Sequence, residues 1–299
     1  MSSVGAASAD AVDAPPAPPR VQGELRTRLL TALILIPVLL AAVAVGGRVF
    51  LAGIVLLAGV GTWEFLAMAA HKPIPGRRLP GVALAMAIPI VLYRGGGDDL
   101  VTLLVAGAVG IALVQLLTDG PRDAIGAVSV TLFGAVYVGL LFAHFVLVRE
   151  LLSGVPGSPA WAGAVLLGMP LVLTWTNDTA AYAVGRRWGR RRLAPSVSPG
   201  KSLEGAVGAL FATVAVAVPA ALLVQRWLPG MDAVDGVALG VLVGVAAPCG
   251  DLVESSFKRD AGVKDSSRLI PGHGGVLDRF DSLLLSVPAF YYYVRGVVL

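Results

Sequence analysis

Apolar residues in this chain run in long blocks separated by short polar or glycine-rich breaks, the first from Leu29 to Val45. Further blocks fall at 49–70, 80–93, 100–118, 124–148, 161–185, 204–227, 236–257 and 282–298. A helix needs about 20 apolar residues to cross a bilayer, so the pattern predicts about nine transmembrane helices, the third of them short. The expected fold class is therefore all-α, a polytopic integral membrane protein. Residues 1–24 break the pattern: they are rich in Ala, Pro, Ser and Asp without apolar periodicity, the composition of a disordered tail ahead of one membrane-embedded domain at 25–299. Because Arg20, Arg26 and Arg28 precede the first block, it could be read as a cleaved signal peptide. The long stretch before it and the many later blocks favour an uncleaved first helix.

Composition sharpens this reading. The chain is 56% hydrophobic and 14% charged, against about 25% charged in a soluble domain. Its only cysteine, Cys249, excludes an intrachain disulfide and a thiolate-rich metal site. The formal charge of +4 matters less than its placement. Lys72, Arg77 and Arg78 follow the second block, Arg122 the fourth, Arg186 to Arg192 and Lys201 the sixth, and Lys258 to Arg279 the eighth. Short loops retain Lys and Arg on the cytoplasmic side, so these even-numbered exits, together with the N-terminal arginines, predict a cytoplasmic N-terminus and an outward C-terminus.

Acidic residues inside apolar blocks are costly and point to a cavity or a partner. Glu64, Asp178 and Asp251 each lie roughly two-thirds along a block predicted to run inward, so all three are expected to face one polar cavity open to the cytoplasm. At about 100° per residue, Asp251, Ser255 and Lys258 fall within about 60° of one another, with Glu254 at the edge of that face. The following loop sets Lys258, Arg259, Lys264, Arg268 and Arg279 against Asp260, Asp265, Asp278 and Asp281, around a Pro271-Gly272-His273-Gly274-Gly275 turn. Glycines there let backbone approach phosphate oxygens, while charge alone would suit a solvated topogenic loop.

Two stretches carry a family resemblance. Ser255, Phe257, Lys258, Arg259, Lys264, Asp265, Pro271, His273, Gly274, Gly275, Asp278, Arg279 and Asp281 fill a pattern similar to that of the phosphatidate cytidylyltransferases. Asn177, Asp178, Ala181, Tyr182, Gly185, Pro195, Ser198, Pro199, Lys201, Ser202, Glu204 and Gly205 fill a second block that resembles the same family. The resemblance implies attack of a phosphatidic acid oxygen on the α-phosphorus of CTP, giving CDP-diacylglycerol and pyrophosphate. It implies Mg²⁺, with K⁺ as a second cation, and a metal set of Asp251, Asp278 and Ser255. Catalytic roles fall to Lys258, Arg259, Lys264, His273 and Arg279. Substrate contacts fall to Asn177, Asp178, Ser198, Lys201, Ser202, Glu204, Gly274, Gly275 and Asp281. The expected partners are CTP, phosphatidic acid and membrane lipid, with a homodimer by analogy and no nucleic acid. The expected location is a bacterial cytoplasmic membrane, with the active site on the cytoplasmic side.

Competing classes leave different marks. Neither a P-loop nor a dinucleotide-binding glycine fingerprint is present. The CDP-alcohol phosphotransferases use Asp-Gly-x-x-Ala-Arg, and neither Asp119-Gly120 nor Asp235-Gly236 continues that way. An anion transporter would show repeats with interrupted helices in corresponding places, whereas the motif charge here is concentrated toward the C-terminus. A lipid-binding scaffold would need the basic loops but not Asp251 or Asp278.

Overall fold

The structure, a computed structural model, describes residues 31, 33, 36–73, 76–153, 155, 157–272 and 274–299. The tail expected at 1–24 and His273 lie outside the described residues. Helices α1 (Ile36–Val45), α2 (Gly47–Ala69), α3 (Arg78–Tyr93), α4 (Gly97–Asp119), α5 (Ala124–Glu150), α6 (Ala162–Trp188), α7 (Leu203–Val224), α8 (Ala233–Asp260) and α9 (Leu277–Tyr293) coincide with the apolar blocks. Five of them, α2, α4, α5, α7 and α8, are long and apolar enough to cross a membrane. The 16 residues of α3 and 17 of α9 are shorter than that, and α6, though 27 residues long, carries Asn177, Asp178, Arg186 and Arg187 in its second half.

One feature departs from the all-α expectation. Between α6 and α7, β1 (Arg192–Ala194) and β2 (Ser198–Ser202) form an antiparallel hairpin with Arg192 opposite Ser202 and Ala194 opposite Ser198. Pro195, Pro199 and Gly200 cannot extend a helix, so this polar stretch satisfies its backbone by pairing with itself.

Two groups of helices pack side by side. In the first, α3 lies against α2 and α5, with α4 on its outer side; in the second, α6, α7, α8 and α9 pack in sequence. The main core runs through both groups, from Phe65, Phe142 and Leu166 to Leu284 and Phe290. Where α8 crosses α7, Gly236, Gly240 and Gly244 form a row, and a Cβ at Gly240 would stand 2.6 Å from Val214 Cα. Small residues allow this approach in a membrane, where association relies on close packing. Gly240→Val is expected to push the two backbones apart and cost about 1–3 kcal/mol, read as a lower thermal unfolding midpoint in detergent.

Helix ends are tied down by charged side chains. Asp232 accepts from Val234 N at 2.7 Å and Asp235 N at 3.0 Å, while Asp235 accepts from Asp232 N at 2.8 Å, a reciprocal cap that starts α8. Arg149, buried at the end of α5, donates from Nε to Val43 O at 2.8 Å and from Nη2 to Ala44 O at 3.3 Å. It thereby satisfies carbonyls that the last turn of α1 leaves open.

Candidate active site

The hairpin, the C-terminal halves of α6 and α8 and the first turn of α7 line a cavity of about 550 Å³, within the usual size range of small-molecule sites. Asn177, Asp178, Tyr182 and Arg186 of α6, Arg192, Ser198, Lys201 and Ser202 of the hairpin, and Asp251 of α8 line it. Lys201 Nζ reaches across to Asp251 Oδ2 at 2.7 Å, with both side chains partly open at 26% and 29% exposure. Ser255, one turn further along α8, donates from Oγ to Asp251 Oδ1 at 3.0 Å. Asp178, Lys201 and Ser198 thus line one cavity, and Asp251 and Ser255 meet as the helical spacing predicted.

Other expected contacts also hold backbone in place. Asn177 is buried and donates from Nδ2 to Gly244 O at 3.2 Å and to Thr213 Oγ1 at 3.1 Å. Pro248 has no N–H to return to the carbonyl four residues before it, and Asn177 supplies the missing donor. Ser202 Oγ caps α7 by accepting from Gly205 N at 3.2 Å, and Glu204 accepts from Arg190 N at 2.9 Å and Arg191 N at 3.1 Å. The pair therefore fastens the hairpin to α7. Tyr182 and Arg186, joined at 3.2 Å between Oη and Nη1, and Arg192 line the cavity; Tyr182 belongs to the family-like stretch, whereas the two arginines lie in a run that reads as topogenic. Spacing of four between Tyr182 and Arg186 on one helix face was the available signal.

A second polar centre adjoins the first. Lys258 is buried, with Nζ 2.8 Å from Asp278 Oδ1 and 3.2 Å from Glu254 Oε1. Glu254 is buried too, and neither of its oxygens has an aligned hydrogen-bond donor. Asp281 lies against α8 at Gly250, one residue before Asp251. Gly250 makes that possible, since α8 passes so close to the Asp281 carbonyl that a side chain at 250 would collide with it.

The loop between α8 and α9 folds around two carboxylates. Asp278 Oδ2 accepts from Ser266 N, Ser266 Oγ and Gly275 N, each at 2.8 Å. Glu64 does not reach the cavity expected for it; its carboxylate is buried beneath this loop, among Ser266, Ser267, Val276 and Leu277. Gly274, at φ +82°, and Gly275 leave room for Asp278 and Glu64 respectively, so the glycines serve the loop's own fold. Arg259, Lys264, Arg268 and Arg279 are exposed around it.

Among the described residues, no three His, Cys, Asp or Glu side chains are gathered as a ready-made metal site. The donor set nonetheless suits a hard divalent ion. Carboxylates outnumber ammonium groups around Asp251, Asp281, Glu254 and Asp278, the oxygens of Glu254 lack donors, and Mg²⁺ is commonly held by one or two carboxylates plus substrate phosphates.

The sequence matches the cytidylyltransferase family over residues 26–297, almost the whole chain. The chain belongs to that family. It is similar to the phosphatidate cytidylyltransferases of Haemophilus influenzae, at 35% identity over 90% of this chain and 98% of that protein, and of Pseudomonas aeruginosa, at 36% over 89% and 95%. It is also 38% identical to the Escherichia coli protein YnbB, described as uncharacterized, over 64% of this chain and 61% of YnbB. The family match takes in both polar centres.

Proposed function

We propose that this protein transfers the cytidylyl group of CTP to phosphatidic acid, yielding CDP-diacylglycerol and pyrophosphate. The observation that carries the proposal is the Lys201 to Asp251 pair, which brings a cation and a carboxylate together at 2.7 Å on the wall of a polar cavity in a mostly apolar protein. Two polyanions must meet in this reaction, so the chain's first task is to neutralise phosphate charge. Lys201, Arg186 and Arg192 line the cavity and are suited to the triphosphate, while Arg259, Lys264 and Arg279 are exposed on the neighbouring loop.

The attacking oxygen belongs to a phosphate that is already ionised near neutral pH. No strong general base is required, and positioning with electrostatic stabilisation supplies most of the rate. A new bond forms from that oxygen to the α-phosphorus as the bond to the bridging oxygen breaks, and pyrophosphate leaves with the electron pair. Asp251 would hold Mg²⁺ together with the substrate phosphates, with Ser255 beside it for a K⁺ ion, and Asp278 would join through Oδ1 only in place of its bond to Lys258. When bound, the divalent ion would draw charge from the phosphate oxygens around the reacting phosphorus. Asp178 lines the same cavity as Asp251 and Lys201 and would orient polar groups of the nucleotide.

The remaining helices would complete about nine spans with the N-terminus and the active site on the cytoplasmic side of a bacterial membrane, an orientation supported by the basic even-numbered loops. Incubating the detergent-purified protein with labelled CTP, phosphatidic acid and Mg²⁺ tests the proposal. Label is expected in lipid, with one pyrophosphate released per lipid formed. Absence of product from folded protein across nucleotides and monovalent salts would overturn it.

A further inference from the structure

The loop from Ser266 to Val276 has little regular structure beyond a bridge between Ile270 and Gly274, yet it delivers Asp278 and Asp281 to the site. Helix α9, which carries both aspartates, begins at Leu277 without a side-chain cap from its own N-cap residue, Val276. We infer that Glu64 of α2 supplies this cap from across the fold and is a positioning residue for the cytidylyl transfer proposed above, on which the inference rests.

Three donors converge on the Glu64 carboxylate, and a fourth polar group lies beside it. Oε1 accepts from Val276 N at 3.0 Å and from Ser267 Oγ at 2.6 Å. Oε2 accepts from Leu277 N at 2.9 Å, and the Ser266 hydroxyl lies 3.3 Å from it. The first N–H groups of a helix have no partner within it, and their partial positive charge favours a carboxylate. Here that carboxylate comes from a distant helix and is 2% exposed. The same Ser266 hydroxyl donates to Asp278 Oδ2 at 2.8 Å, so a single side chain joins the Glu64 anchor to the carboxylate that meets Lys258. Gly275 shows how closely the parts fit: a Cβ there would collide with Ser266 Oγ and lie 2.7 Å from each Glu64 oxygen.

This geometry makes Glu64→Gln a sharp probe. An amide keeps the volume but accepts through one oxygen only, and in either orientation its NH₂ group faces a backbone N–H that cannot accept. The start of α9 is expected to shift, carrying Asp278 and Asp281 out of register, while the cavity wall formed by Lys201, Asp178 and Tyr182 stays in place. Misplacement of reacting groups on the order of 1 Å costs about 100-fold in rate.

The test compares wild type, Glu64→Gln, Gly275→Ala and the double variant in detergent, by steady-state kinetics and by amide hydrogen exchange at Val276 and Leu277. Each single variant is expected to lower kcat about 100-fold with KM for CTP within about 3-fold of wild type, and the double variant to be no worse than either. Exchange protection of the two amides is expected to fall in each. Unchanged kcat in Glu64→Gln, or a loss of rate accompanied by an equal rise in KM, would overturn the positioning role. Should Glu64→Gln not fold, Ser267→Ala removes one donor alone, and wild-type kcat and protection in that variant would count against the inference. If wild type itself makes no product, the reading of function fails, and the exchange data alone then decide whether Glu64 holds the loop.

Discussion

Asp251→Asn is expected to reduce cytidylyl transfer by about 10²–10³-fold while leaving the protein folded. The substitution keeps the volume of the side chain and removes its charge at the point where α8 meets the cavity. Its ion pair with Lys201 is partly exposed, so little stability goes with it. What is lost is the carboxylate that faces Asp178, Lys201 and Asp281 and that would share a divalent ion with the substrate phosphates. Turnover of labelled CTP into lipid, measured beside the thermal unfolding midpoint, separates the two effects. Normal turnover in this variant would remove Asp251 from the site.

Lys258→Met has the opposite profile, a loss of fold first and of activity as its consequence. Methionine keeps much of the apolar stem but strands Glu254 and Asp278, both buried, without the ammonium group between them. Removing one partner of a buried ion pair costs about 3–5 kcal/mol because the remaining charge is left uncompensated. The unfolding midpoint in detergent is expected to fall by several degrees. Adding Glu254→Gln to Lys258→Met removes one stranded charge and is expected to recover part of the loss, a coupling between neighbours that independent sites would not show. An unchanged midpoint in the single variant would mean that water reaches Lys258 and its partners.

These two residues differ in a way that their sequence positions conceal. Asp251 and Lys258 share one face of α8, as the helical period requires, yet one lines an open cavity and the other is enclosed. Periodicity assigns a face but not what packs against it. Asn177, Ser202 and Glu204 show the same limit, because their place in a family-like pattern marks them as important without saying for what. Asn177 completes the backbone next to Pro248, and Ser202 and Glu204 build the end of the hairpin. Arg186 and Arg192 are the reverse case, since a run of arginines reads as a topogenic cluster until α6 and the hairpin set one each on the cavity wall.

Helix positions were legible because each is a local property: apolar blocks long enough to span hydrocarbon, ended by glycine, proline or charge, are visible without knowing any neighbour. The membrane character and the two motif stretches belong to the same category. The hairpin, the pairing of Lys201 with Asp251 and the burial of Lys258 between two carboxylates required the tertiary structure, because each joins residues whose separation in sequence carries no record of their distance in space. Glu64 makes the difference plainest. Its sequence context announces a costly acid within an apolar helix, but only the packing of α2 beneath the loop before α9 decides that its partners are the amides of Val276 and Leu277, over 200 residues away.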